Sequence, residues 1–141
     1  MRRLILAFAL VVLGGVGVSA QAAGTRVQVK GELVDTFCAV SEIMFAYGTA
    51  HYQCAVWCAA GGIPVSIKDE KGDFYVVLKV ADDENALVNK KLITIQAHQA
   101  TVDGDLLERN GVKYLLVSQV ADDKGIVDLT HEQQGIQPFG N

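Results

Sequence analysis

Three cysteines, Cys38, Cys54 and Cys58, and one of the three histidines, His51, fall within a single 21-residue stretch of a 141-residue chain. Thiolate and imidazole are the donors preferred by zinc and by soft ions such as copper(I). Read as a helix turning about 100° per residue, the segment from 49 to 60 places His51, Cys54 and Cys58 within an arc of roughly 60°. They share one face. Cys38 precedes His51 by 13 residues, enough chain to fold back and complete a Cys₃His set around one ion. Thiolates bound at about 2.3 Å to a tetrahedral centre would lie roughly 3.8 Å apart, with the His51 nitrogen about 2.0–2.1 Å from the same point.

Two other outcomes fit the same residues. In an oxidising compartment Cys38 would pair with Cys54 or Cys58 at about 2.05 Å and leave the third thiol outside, or all three would be inert buried thiols. A Cys54–Cys58 bond suits a regular helix poorly at its i,i+4 spacing. The C-x₃-C spacing also differs from the C-x-x-C of redox dithiols, and no C-x-x-C-H is present for haem attachment.

Around the cluster, Met44 offers a thioether, and Trp57, the single tryptophan, stands between Cys54 and Cys58. Core packing is the plainer expectation for both. Asp35 could orient His51 by accepting from its second nitrogen, act as a weak ligand, or only cap a turn, the plainest of the three. His98 and His131 read as solvated or satisfied histidines. The acidic groups Asp82-Asp83-Glu84 and Asp122-Asp123 lack calcium-loop spacing. No nucleophile elbow, phosphate loop or H-E-x-x-H occurs, so a binding protein is expected and an enzyme is not. A hydrolytic zinc centre would have only Asp35 or Glu32 as a local base.

The elements that must hold these residues are mostly short strands. Arg26 to Val34 alternates, with Val27, Val29, Gly31 and Leu33 on one face, which predicts a half-buried strand with a bulge at Gly31. Asp35 to Tyr47 has no clear period. The helical insert follows at about 49–60, with Thr49 as its expected cap and Gly61 as its stop. Val65-Ser-Ile-Lys68 and Phe74 to Val80 flank a polar turn and predict a hairpin. Leu92 to Val102 reads as a strand, Asp103-Gly104 as a turn, Leu106 to Arg109 as a short strand, and Asn110-Gly111 as a turn into Val112 to Val120. That makes about six strands. Short antiparallel strands with tight turns and one helical insert predict a mainly β fold, a small OB-like antiparallel barrel over 25–121, since closure removes exposed edges. Residues 122–141 read as a flexible acidic tail.

Asp35-Thr-Phe-Cys38, His51-Tyr-Gln-Cys54-Ala-Val-Trp-Cys58 and Gly61-Gly-Ile-Pro-Val65 resemble a D-x-x-C, H-x-x-C-A-x-x-C, G-G-[IV]-P-V pattern shared by exported bacterial proteins of unassigned function. That resemblance implies export and supplies no activity. In kind the chain is also similar to small periplasmic copper and silver carriers, OB-like barrels that use His and Met ligands beside a Trp ring. This likeness implies His51, Met44 and Trp57 as participants, although those carriers set their ligands on barrel strands.

Met1-Arg-Arg3, the apolar run Leu4 to Val18 and Ala20-Gln-Ala22 have the three parts of a secretory signal peptide over 1–22. The run is shorter than the roughly 20 residues of a membrane-spanning helix, so no stable membrane insertion is expected after cleavage. Removing 1–22 would leave 119 residues and shift the formal charge from −4 to −6. A chain that acidic repels phosphate backbones, which argues against nucleic acid. A metal ion and another periplasmic protein remain as partners, in a periplasmic or secreted location. Docking onto a larger periplasmic complex, with a disulfide stapling the insert to the barrel, is the alternative function.

Overall fold

The computed structural model describes residues 24–43 and 47–133; the signal peptide expected at 1–22 and Met44 lie outside them. The chain runs β1 (Thr25–Asp35), α1 (Thr36–Ser41), α2 (Gly48–Ala60), β2 (Val65–Asp69), β3 (Phe74–Val80), α3 (Lys90–Thr94), β4 (Gln99–Arg109), β5 (Val112–Asp123) and α4 (Thr130–Gln133). The five strands close in the order β1-β2-β3-β5-β4, an OB-like barrel. Its pairs are antiparallel except β3 and β5, which run parallel. β3 and β5 are separated in the chain by α3 and β4, the long connection that a parallel pair requires.

β1 is long enough to serve two partners. Its first part, Thr25 to Glu32, pairs with β4, and Gly31 to Asp35 pairs with β2. The inward residues Val29 and Leu33 meet Ile67, Val77, Val102 and Leu115 in the barrel core. Ala59 of α2 and Leu92 of α3 belong to the same cluster, so the two helices cover apolar surface that the strands leave open. Among the described residues no helix is long and apolar enough to cross a membrane.

Several local expectations change. No bulge occurs at Gly31, whose pairings with Asp69 and Ala100 continue the neighbouring register. Glycine is needed there because a Cβ would stand 2.2 Å from the Lys68 carbonyl oxygen. Asp103-Gly104 does not turn the chain: β4 passes straight through it, with a shift of register against β5. A Cβ at Gly104 would lie 2.5 Å from the Leu116 carbonyl oxygen, so the residue serves close strand approach. Two expected strands therefore become one, and the barrel has five strands.

The strand expected from Leu92 begins only at Gln99. Before it Asn89 caps α3, its side chain accepting from the Lys91 and Leu92 amides, and this local bond outweighs the β-like alternation of Leu92, Ile93 and Ile95. Thr49 is not the cap of α2; the cap residue is Tyr47. Gly61 does end the helix, with its amide donating to Trp57. β5 runs to Asp123, past the expected barrel boundary. Beyond it the described part of the expected tail hydrogen-bonds to α2 through Asp128, Thr130 and His131.

Candidate metal centre

The site is built on the connection between β1 and β2. β1 delivers Asp35 to the end of the sheet, completely buried. Its side chain caps α1: Oδ1 accepts from the Cys38 amide at 2.8 Å. This fixes the first turn of a six-residue helix whose buried residues are Cys38 and Ala39. The other oxygen, Oδ2, lies 2.6 Å from Nε2 of His51, and His51 is itself 2% exposed. A carboxylate can only accept, so the Nε2 proton points to Asp35 and the lone pair of His51 sits on Nδ1. Two of the roles open to Asp35 in the sequence, capping the turn and orienting His51, are taken, one by each oxygen.

α2 brings the remaining donors. Its buried stripe is Gly48, His51, Ala55 and Ala59, small residues apart from the histidine, which lets the helix axis approach the barrel end. Cys54 and Cys58 flank that stripe half-buried and pack with Cys38, Val34 and Ala39 in a second cluster. The three sulfurs lie within 4.8 Å of one another, and Cys54 Sγ to Cys58 Sγ is 3.9 Å, close to the roughly 3.8 Å spacing of thiolates around one tetrahedral ion. All three thiols are free. Ligand atoms of Asp35, Cys38 and His51 form a second group within 4.8 Å. Each group is compact enough to hold a metal ion.

The structure therefore brings Cys38, Cys54 and Cys58 together as expected and divides the expected four-member set differently. Cys38 belongs to both groups. His51 joins Cys38 through the group that contains Asp35 and is not within that span of both α2 sulfurs. The cause is the Asp35 carboxylate, which draws the imidazole toward β1. Trp57 is 70% exposed, so core packing is not its role. Phe37 and Val40 of α1 are exposed as well.

Electrostatics at the cluster favour a cation. Burial, followed by the negative charge of Asp35, pushes the Cys38 thiol up to about 12. The same two causes push Cys58 up to about 11. Without a cation Cys38 and Cys58 stay protonated at neutral pH. An ion that binds must displace those protons, and its charge supplies the compensation for doing so.

A further layer holds α2 by its first amides. Gly48 donates to Glu32 Oε1 at 2.7 Å, Thr49 to the Asp128 carbonyl at 2.9 Å, and Ala50 to Thr130 Oγ1 at 2.9 Å. Burial raises the Glu32 carboxyl to about 7 against the lowering effect of the Gly48 bond, with Asp128 nearby raising it further. Sequence reasoning missed this support, because the partners of Glu32 and Thr130 are 16 and 80 residues away. His98 pairs with Asp123 on the barrel at 2.8 Å, apart from the cluster. No family model, curated protein or solved structure matches the chain.

Proposed function

We propose that this is an exported, periplasmic metal-binding protein that carries one thiophilic ion, copper(I) or zinc, on Cys38, Cys54 and Cys58. The observation that carries the reading is three unbonded sulfurs, from two helices, within 4.8 Å of one another. Apolar packing alone gives no reason for three thiols to converge beside a buried carboxylate. In this reading binding draws in His51, which the structure groups with Asp35 and Cys38 and not with the two α2 sulfurs, as the fourth donor, with Asp35 holding its Nε2 as carboxylates commonly do behind metal-bound imidazoles. An ion there serves carriage or acts as a structural or redox centre. The acidic chain, with no catalytic motif, suits a binding role.

Element analysis after native purification, combined with thiol counting, tests the proposal. The expected result is one equivalent of zinc or copper per chain, lost in Cys54→Ser and in Cys58→Ser and retained in His98→Ala. Metal-free protein that also fails to take up added zinc or copper(I) would overturn it. The second reading, an interaction module, draws on the exposed Phe37, Val40 and Trp57 of the same two helices; a stable complex formed equally by the wild type and a variant lacking all three thiols would favour it.

A further inference from the structure

Three free thiols within 4.8 Å are reactants for thiol–disulfide exchange as well as ligands, and the fold restricts which two can join. Side chains four apart on a helix keep their Cβ atoms about 5–6 Å from each other, whereas a disulfide needs about 3.5–4.5 Å. Cys54 and Cys58 occupy such positions in the unbroken helix α2, so bonding them would distort a turn that also seats Ala55 and Ala59 against the barrel end. Cys38 stands on a separate helix of six residues, of which only Cys38 and Ala39 are buried. Its sulfur already lies within 4.8 Å of both α2 sulfurs, so joining it to one of them needs only a small shift of α1 and breaks no turn of α2.

Resting on the metal-binding reading above, we propose that the cluster is a redox-gated metal site, in which an external disulfide compound joins Cys38 to one α2 cysteine and expels the ion. Cys54 and Cys58 are half-exposed and Cys38 is buried, so an α2 thiolate makes the first attack. It forms a mixed disulfide and releases one thiolate of the oxidant. Cys38, losing its proton or its bond to the ion, then attacks the protein sulfur of that mixed disulfide and releases the second. Two electrons pass from the protein sulfurs to the oxidant, whose two thiolates take up the protons that the two cysteines give up, or protons from water where the cysteines were metal-bound, and the ion leaves without a change of oxidation state. One thiol remains, too few sulfurs to retain a thiophilic ion.

The full chain, metal-free or loaded with zinc, is treated with oxidised glutathione, and its thiols are counted and its linkages mapped by mass spectrometry. Metal-free protein is expected to fall from three thiols to one, with every intramolecular link containing Cys38, and bound zinc to slow the reaction by about tenfold or more, since a coordinated thiolate is a weaker nucleophile. Cys38→Ser should form no intramolecular link; Cys54→Ser should still link Cys38 to Cys58. A Cys54–Cys58 link in the wild type, or oxidation at the same rate with zinc bound, would overturn the gate. Equilibrium dialysis with zinc separates the two ideas. A chain that binds zinc and never crosslinks loses the gate alone, and a chain that crosslinks but never binds zinc loses the metal site and the gate with it.

Discussion

Replacing Asp35 by Asn keeps an oxygen for the Cys38 amide, since Asn caps helices as well as Asp does. It places an NH₂ group against Nε2 of His51, and two donors cannot share that 2.6 Å contact. The imidazole proton must then move to Nδ1, which removes the lone pair that a metal would use. Asp35→Asn is therefore expected to fold and to bind zinc about 10–100-fold more weakly, measured by competition with a chromophoric chelator beside a thermal melt. Unchanged affinity would show that His51 is no ligand. Glu32 sets a separate pH dependence. Its folded pKa of about 7 lies above the ordinary 4.5, so the folded chain holds a proton that the unfolded chain releases. Stability should fall as pH rises from about 4.5 through about 7, by about 1–3 kcal/mol after allowance for solvent screening, and Glu32→Gln should flatten the curve in denaturant titrations at successive pH values. At this scale the convergence of the cysteines was legible, because helical periodicity fixes Cys54 and Cys58 locally and Cys38 needs only a reversal of the chain. The division between His51 and the sulfurs was not. It depends on where β1 ends, and hence on which partner the imidazole meets first.

The first turn of α2 shows how far an element depends on others. A helix begins with amides that have no partner of its own, and here β1 supplies one acceptor and the stretch 128–130 supplies two. Thr130→Val keeps the shape and removes Oγ1, which accepts from Ala50 and donates to the Tyr47 carbonyl. A loss of about 1–2 kcal/mol is expected, and hydrogen exchange should accelerate at the α2 amides before those of the barrel. Exchange that changed equally in both would mean that α2 and the barrel open as one unit. Patterning located α2, its stop at Gly61 and the β2–β3 hairpin, since each is announced by its own residues. It misread α3 because Leu92, Ile93 and Ile95 alternate well enough for a strand, while the decisive signal was the single side chain of Asn89. It overlooked α1 for a related reason: six residues hold less than two turns, too few to show a period. Asp103-Gly104 carries the letters of a turn, yet the glycine answers to Leu116 on the neighbouring strand.

For the whole molecule, a ligand that binds only the folded state adds stability by mass action. At free zinc about 100-fold above its dissociation constant the gain should be about 2.7 kcal/mol, read as a shift of the denaturant midpoint with an unchanged slope and reversed by chelation. A midpoint that ignores zinc would oppose a site formed on folding. The barrel was legible in the run of short strands and tight turns, but its parallel seam was not, because no local pattern distinguishes a strand edge that meets β5 from one that meets β2. That seam also orders events in time. Tyr75 pairs with Lys113 and Val80 with Val117 across an intervening stretch that includes α3 and β4, and long closures of this kind are slow relative to hairpins. The acceptors that seat α2 come later still in the chain, at 128 and 130. A ribosome releasing the protein from its N-terminus therefore emits all three cysteines well before the chain that seats α2, leaving an interval in which they are open to whatever thiol chemistry surrounds them.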